Sequence, residues 1–168
     1  EGLNTVIVNP GIILGPGFWH QSSGKLIESC SKGNPFYTEG SSATVDAKDV
    51  ADCMIQLTEK QHFGKRFVLS ENNYSFKEIL SKTHAALGKK APYINAGKGL
   101  LIMAKWLDSF RCIITGKEPI ITSETITAGL EKNTFSNAQI KREINYSFTP
   151  LEETLKFVCT AFLNDIEA

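Results

Sequence analysis

The residues best placed to do chemistry stand near the start of the chain. The β-branched run Thr5-Val6-Ile7-Val8 leads into Asn9-Pro10-Gly11-Ile12-Ile13-Leu14 and then into Gly15-Pro16-Gly17, with Phe18, Trp19 and His20 beyond it. A proline at the carboxyl edge of a parallel strand is a rigid apolar wall, in the place where open α/β sheets take ligands. The Gly-Pro-Gly run is a turn. Phe18 and Trp19 are fitted to cover an apolar substrate, and His20 to give it a hydrogen bond.

The other reactive types do not form constellations. His62 falls at a predicted helix end, facing the last carbonyls, and His84 falls inside a helix. No His/Cys/Asp set has metal-ligand spacing, so no metal is expected. Cys30, Cys53, Cys112 and Cys159 lie far apart without a Cys-x-x-Cys, and are read as reduced, mostly buried thiols rather than nucleophiles. Lys48 and Asp49 are expected to cap or order a turn, and Lys105 and Arg111 to lie at the surface with their stems over the core.

The 18 basic and 18 acidic residues of the 168 cancel, which removes the basic excess of a nucleic-acid binder. No apolar run reaches the ~18 residues of a membrane span, and no signal peptide is visible, so neither nucleic acid nor membrane is expected as a partner and the cytoplasm is the expected location.

These residues need elements to hold them. Thr5–Val8 reads as a buried strand, Ser22–Ser31 as a helix stopped by Gly33-Asn34-Pro35, and Phe36–Thr38 and Ala43–Ala47 as short extended segments. A helix follows over 49–60, with Val50, Met54 and Leu57 on one face, and Arg66–Leu69 is an apolar strand. Ser75 and Glu78 have capping-box spacing at the head of a helix that runs to Gly88, and Thr149 and Glu152 have it at the head of the last helix. Gly99–Thr115 reads as a helix buried over much of its surface and ended by Gly116. Residues 119–122 read as extended, 123–129 as a short helix, 132–135 as a short strand and 136–143 as a helix.

Taken in order, four stretches resemble the C-terminal half of the extended short-chain dehydrogenase/reductase family, the NAD-dependent epimerase/dehydratase group, in its dihydroflavonol reductase-like branch. They are Val6 to Gly17, Val45-Asp46-Ala47-Lys48-Asp49-Val50-Ala51-Asp52, Gly64 to Leu69, and Ser136 to Tyr146 with Thr149 to Leu155 after it. The resemblance implies an α/β fold: the C-terminal portion of a Rossmann-type NAD(P)-binding fold with a mostly helical substrate-binding lobe, its N-terminal half absent. Residues 5–17 and 43–70 would be Rossmann-core elements, and 18–42 and 71–168 mainly the lobe, all in one partial unit.

The resemblance also implies that Pro10, Gly11, Ile12 and Ile13 line the nicotinamide side of the cofactor, and that Phe18, Trp19 and His20 line the substrate. No Gly-x-Gly-x-x-Gly phosphate fingerprint occurs, and none of Tyr37, Tyr74, Tyr93 and Tyr146 has a lysine four residues on. The expectation is therefore a fragment of an NAD(P)-dependent oxidoreductase that moves hydride to or from a carbonyl or alcohol. By itself it would be inactive, with no catalytic residue and no tightly bound cofactor. Its expected partners are a small-molecule substrate and the missing N-terminal half, with a homodimer of the parent. The alternatives are a nucleotide-sugar epimerase/dehydratase fragment and a non-catalytic NmrA-like redox sensor or interaction protein.

Overall fold

A computed structural model of the chain describes residues 2–116 and 122–167; the extended segment expected at 119–121 lies outside the described residues. Among the described residues fourteen elements follow one another. The strands are β1 (Ile7–Pro10), β2 (Ile12–Leu14), β3 (Phe36–Tyr37), β4 (Ser41–Asp46), β5 (Arg66–Leu69), β6 (Asn72–Ser75) and β7 (Ile94–Asn95). The helices are α1 (Ser22–Ser31), α2 (Ala47–Glu59), α3 (Phe76–Ala86), α4 (Lys98–Thr115), α5 (Ser123–Leu130), α6 (Ala138–Ile144) and α7 (Leu151–Glu167).

Gly11 sets the sheet topology. β1 runs parallel to β5 and β2 parallel to β4, which also pairs antiparallel with β6, while β3 and β7 form a small parallel pair. At the bend between β1 and β2 the Gly11 amide donates to the Leu69 carbonyl at 3.0 Å, and the chain crosses from one neighbour to the other. A Cβ on Gly11 would stand 2.5 Å from the Ala43 carbonyl oxygen, so only glycine lets the bend lie this close to β4.

Side-chain alternation along the strands builds a core on each side. Leu14 faces a cluster with Ile27 and Cys30 of α1, Leu87, and Leu151, Leu155, Val158, Cys159 and Phe162. Val45 faces the opposite cluster, with Val50, Cys53 and Leu57 of α2, Phe67 and Leu69 of β5, and Ile140, Ile144 and Phe148. Helices thus cover both faces of the strands, the arrangement parallel βαβ connections require.

Local signals explain the helix ends. Ser75 and Glu78 make both bonds of the capping box at the head of α3, and the Asp46 carboxylate accepts from the Lys48 amide at 2.8 Å to cap α2. Gly116 takes the left-handed conformation at the end of α4, φ +64°.

Four expectations are corrected here. The first strand is not buried: Ile7 is 44% exposed and only Leu14 of β1 and β2 is fully buried. α4 is mostly exposed, and its single buried described residue is Asp108. The Thr149 hydroxyl does not head a capping box with Glu152; it donates to Asp49 at 3.0 Å, and Glu152 pairs with Lys82. In 132–135 a single bridge, Lys132 to Ser41, replaces the expected strand.

The larger correction concerns the reading of the chain as a partial unit that needs an absent N-terminal half as its partner. Every described strand, β1 and β2 at the N-terminal end included, pairs within the chain, and both clusters close among its own residues. These elements form an α/β Rossmann-type arrangement with helices on both faces.

One core defect gives a stability prediction. The Thr154 hydroxyl of α7 is buried and has no hydrogen-bond partner among the described residues. An unpaired buried hydroxyl costs about 1–3 kcal/mol, so Thr154→Val should raise the unfolding free energy by about 1 kcal/mol in a urea titration. A loss of stability would mean that the hydroxyl is hydrogen-bonded after all.

Candidate functional site

β2, the turn after it and the head of α1 enclose an open cleft of about 420 Å³. Gly11, Ile12, Ile13, Gly15, Pro16 and Phe18 form its apolar side, and Gln21, Ser22, Ser23, Gly24 and Ala47 complete the lining. Ile13 turns outward, 39% exposed, while its neighbour Leu14 points into the core. Phe18 stands at the mouth, 84% exposed.

The polar side is the first turn of α1. The Gln21 side chain makes no capping bond, and the first turn holds no acidic residue. First-turn amides have no intrahelical acceptor, so those of Ser22, Ser23 and Gly24, all lining residues, remain available as donors. They carry the partial positive charge of a helix start. Ser22 has φ +46°, and the Gln21 amide donates to the Phe18 carbonyl at 3.1 Å, which folds the turn against the helix head. A Cβ on Gly24 would overlap that same carbonyl oxygen, so glycine is required there too.

The structure separates the residues singled out in the sequence. Gly11, Ile12, Ile13 and Phe18 meet on the cleft; Pro10, Trp19 and His20 are not among its lining residues. Pro10 ends β1, opposite Leu69. The Trp19 indole donates to the Asp165 carboxylate at 2.8 Å and packs edge-on against Phe162, ring centroids 5.1 Å apart. It therefore fastens the loop to α7. His20 is exposed, with its Nδ1 3.4 Å from a Glu28 carboxylate oxygen.

Sequence reasoning missed Gln21 to Gly24 and Ala47. The available signal was a helix start without an acidic residue or a side-chain cap, directly after the turn.

None of the lining residues titrates, so the cleft can bind and orient but cannot itself pass a proton. The groups that do titrate lie outside this lining. Asp49 is buried; its carboxylate accepts from the Tyr146 hydroxyl at 2.9 Å, the Thr149 amide at 2.7 Å and the Thr149 hydroxyl at 3.0 Å. Burial and that carboxylate push the Tyr146 hydroxyl well above its ordinary range, so it stays a donor. This set orders the turn between α6 and α7 on the head of α2.

All four cysteines are free. Burial pushes the thiols of Cys30 and Cys53 up to about 12 and that of Cys159 to about 11, which leaves almost no thiolate at neutral pH. A thiol reagent at mild alkaline pH should label Cys112, the one that is not buried, and reach the other three only on unfolding. Fast labelling of all four would contradict this packing. Among the described residues no group of His, Cys, Asp and Glu is arranged to hold a metal ion.

No protein-family model and no curated protein matches the chain. Solved structures do. The chain is similar to PA4631, a nucleoside-diphosphate-sugar epimerase from Pseudomonas aeruginosa, at 21% identity and a TM-score of 0.75, over 98% of this chain and 49% of that one. It is similar to gox2253 at 23% identity and a TM-score of 0.74, over 95% of this chain and 49% of that one. It is also similar to the human epimerase family protein SDR39U1 (isoform 2), solved with NADPH, at 16% identity and a TM-score of 0.70, over 92% of this chain and 48% of that one.

At these identities the likeness establishes the fold alone, an α/β Rossmann-type fold. The chain spans about half the length of the solved structures it matches. Because the likeness runs along nearly the whole of this chain, the C-terminal-half description is replaced by an α/β Rossmann-type fold over the chain's own length.

Proposed function

We propose that the chain serves NAD(P)-dependent oxidoreduction of a carbonyl or alcohol substrate, and that the cleft between β2 and α1 takes the nicotinamide end of the cofactor. The observation that carries this reading is the lining itself: an apolar wall from Gly11 to Pro16 faces the uncapped amides of Ser22, Ser23 and Gly24. A flat heteroaromatic ring with a carboxamide needs that pair of surfaces, one apolar and one donating. The fit is to this end of the cofactor; the sequence has no Gly-rich turn of the kind that cradles a pyrophosphate.

Bound there, a nicotinamide would supply or accept hydride. The chain's own residues would do the rest of the work the cleft allows. Ile12 and Ile13 would keep water from one side, the α1 amides would orient the carboxamide, and Phe18 at the mouth would cover an apolar substrate. The protonic half of the reaction is not assigned to any lining residue, since none titrates. The expectation that no cofactor would bind tightly rested on an absent half, whereas the binding proposed here rests on the cleft.

The test is a competition titration. Reduced nicotinamide mononucleotide should bind with a Kd of about 1 mM and NADPH only a few times more tightly, since about 4 kcal/mol is what a small, half-open site supplies. Adenosine 2′,5′-diphosphate should not compete. Tight competition by the adenosine half would overturn the assignment.

A further inference from the structure

The buried stripe of α7 ends on an acid. Leu151, Leu155, Val158 and Phe162 follow one another at steps of four and three along one face of the helix, and all are buried. Asp165 lies three residues further along that face, where the helix leaves the core and becomes exposed. Its carboxylate accepts from the Trp19 indole at 2.8 Å, across 146 residues of sequence, and the Trp19 ring meets Phe162 at an interplanar angle of 82°. Two points on a helix locked into the core thus hold one side chain of the cleft loop.

The Trp19 backbone faces the other way, toward the cleft. A Cβ on Gly24 would stand 2.8 Å from Trp19 Cα, so this main chain is packed directly on the first turn of α1. The Trp19 amide donates to the Gly17 carbonyl at 2.7 Å, and the Phe18 carbonyl accepts from the Gln21 amide at 3.1 Å. Phe18 and Gln21 to Gly24 line the cleft, while Trp19 does not. Ser22, one of the lining residues, has φ +46°, a conformation that a non-glycine residue keeps only where its surroundings hold it.

We propose that Asp165 is a positioning residue for the cleft: through the Trp19 indole it fixes the turn that carries Phe18 and the head of α1, so the last turn of α7 sets how tightly the cleft holds its ligand. This rests on the reading of the cleft as the nicotinamide site. With the hydrogen bond in place, the indole has one orientation against Phe162. Without it, the ring contact remains but the ring can rock, and the turn from Gly17 to Ser22 loses the tie that opposes its relaxation.

Titration of the full chain with reduced nicotinamide mononucleotide tests this. Asp165→Ala and Trp19→Phe, which keeps an apolar ring against Phe162, should each bind about fivefold more weakly than the wild type. Asp165→Asn keeps an acceptor oxygen and should bind within about twofold of the wild type. The double variant Trp19→Phe/Asp165→Ala should be no weaker than either single variant, because the two act through one bond. A second readout needs no ligand: the Trp19 and Gln21 amides should exchange with solvent about fivefold faster in Asp165→Ala, and at the wild-type rate in Asp165→Asn. Equal binding by the wild type and Asp165→Ala, unchanged amide exchange in Asp165→Ala, no rescue by Asp165→Asn, or losses that add in the double variant would each overturn the proposal. If the exchange result holds while the wild type shows no saturable binding, the nicotinamide reading falls, and the binding role of Asp165 falls with it.

Discussion

Replacing Asp49 with alanine will lower the unfolding free energy by about 3 kcal/mol, the largest loss expected from any single polar side chain here. Three donors converge on this buried carboxylate from the far side of the fold: the Tyr146 hydroxyl and both the amide and hydroxyl of Thr149. Each hydrogen bond to a charged acceptor contributes more than a neutral one, and alanine leaves the half-buried Thr149 amide without its acceptor. For a chain of this length the melting temperature should drop by about 10 °C.

Asp49→Asn should cost roughly half as much. Its amide oxygen can take the Thr149 N–H while its NH2 turns to the two hydroxyls, which can rotate to accept. Tyr146→Phe removes a single donor and should cost about 1 kcal/mol. If Asp49→Ala loses less than Tyr146→Phe, the carboxylate does not organise this corner.

The second large effect is on binding. Ile13→Asp will reduce the affinity for reduced nicotinamide mononucleotide by at least about tenfold, because it puts an ionised carboxylate on the apolar wall that would lie against the ring. Ile13 is already 39% exposed, so the substitution should leave the melting temperature within a degree or two. Phe18→Ala, at the mouth, should cost less affinity for the nucleotide and more for an apolar carbonyl substrate. Because no lining residue titrates, wild-type binding should stay level between about pH 7 and pH 9, above the second ionisation of the ligand's own phosphate at about 6. The Ile13→Asp loss should shrink at acid pH as the new carboxylate protonates. A bell-shaped wild-type profile would place a titrating group in the cleft and contradict the lining described here.

Much of the local structure was legible because short-range physics determines it. Helix α1 spans Ser22–Ser31 as its periodicity predicts, β5 is Arg66–Leu69, and the Ser75–Glu78 box and the Gly116 stop come from chemistry within four residues. What sequence could not decide was long-range. Hydrophobic period marks α4 as a helix with an apolar stripe, but period does not say which stripe faces inward. Asp108, held by Arg111, is the residue buried instead, which reversed the expectation. β6 is Asn-Asn-Tyr-Ser, with no strand signature; it exists because β4 supplies its ladder.

The candidate site divides along the same line. Gly11, Ile12, Ile13 and Phe18 were legible as a strand-end turn. Trp19 was not, because its partner Asp165 lies on the last helix. The polar wall from Gln21 to Gly24 was passed over because an uncapped helix start looks unremarkable until a turn folds back on it. The same limit explains Thr149, whose spacing to Glu152 signals a capping box while a residue 100 positions earlier takes its hydroxyl.

The most direct test of the nicotinamide assignment is an amide-resolved NMR titration of the chain with reduced nicotinamide mononucleotide. The expected result is saturable shift changes confined to Gly11 through Phe18 and to Ser22, Ser23 and Gly24 at the head of α1, absent in Ile13→Asp. Saturable shifts that map elsewhere, or none at millimolar ligand, would contradict it.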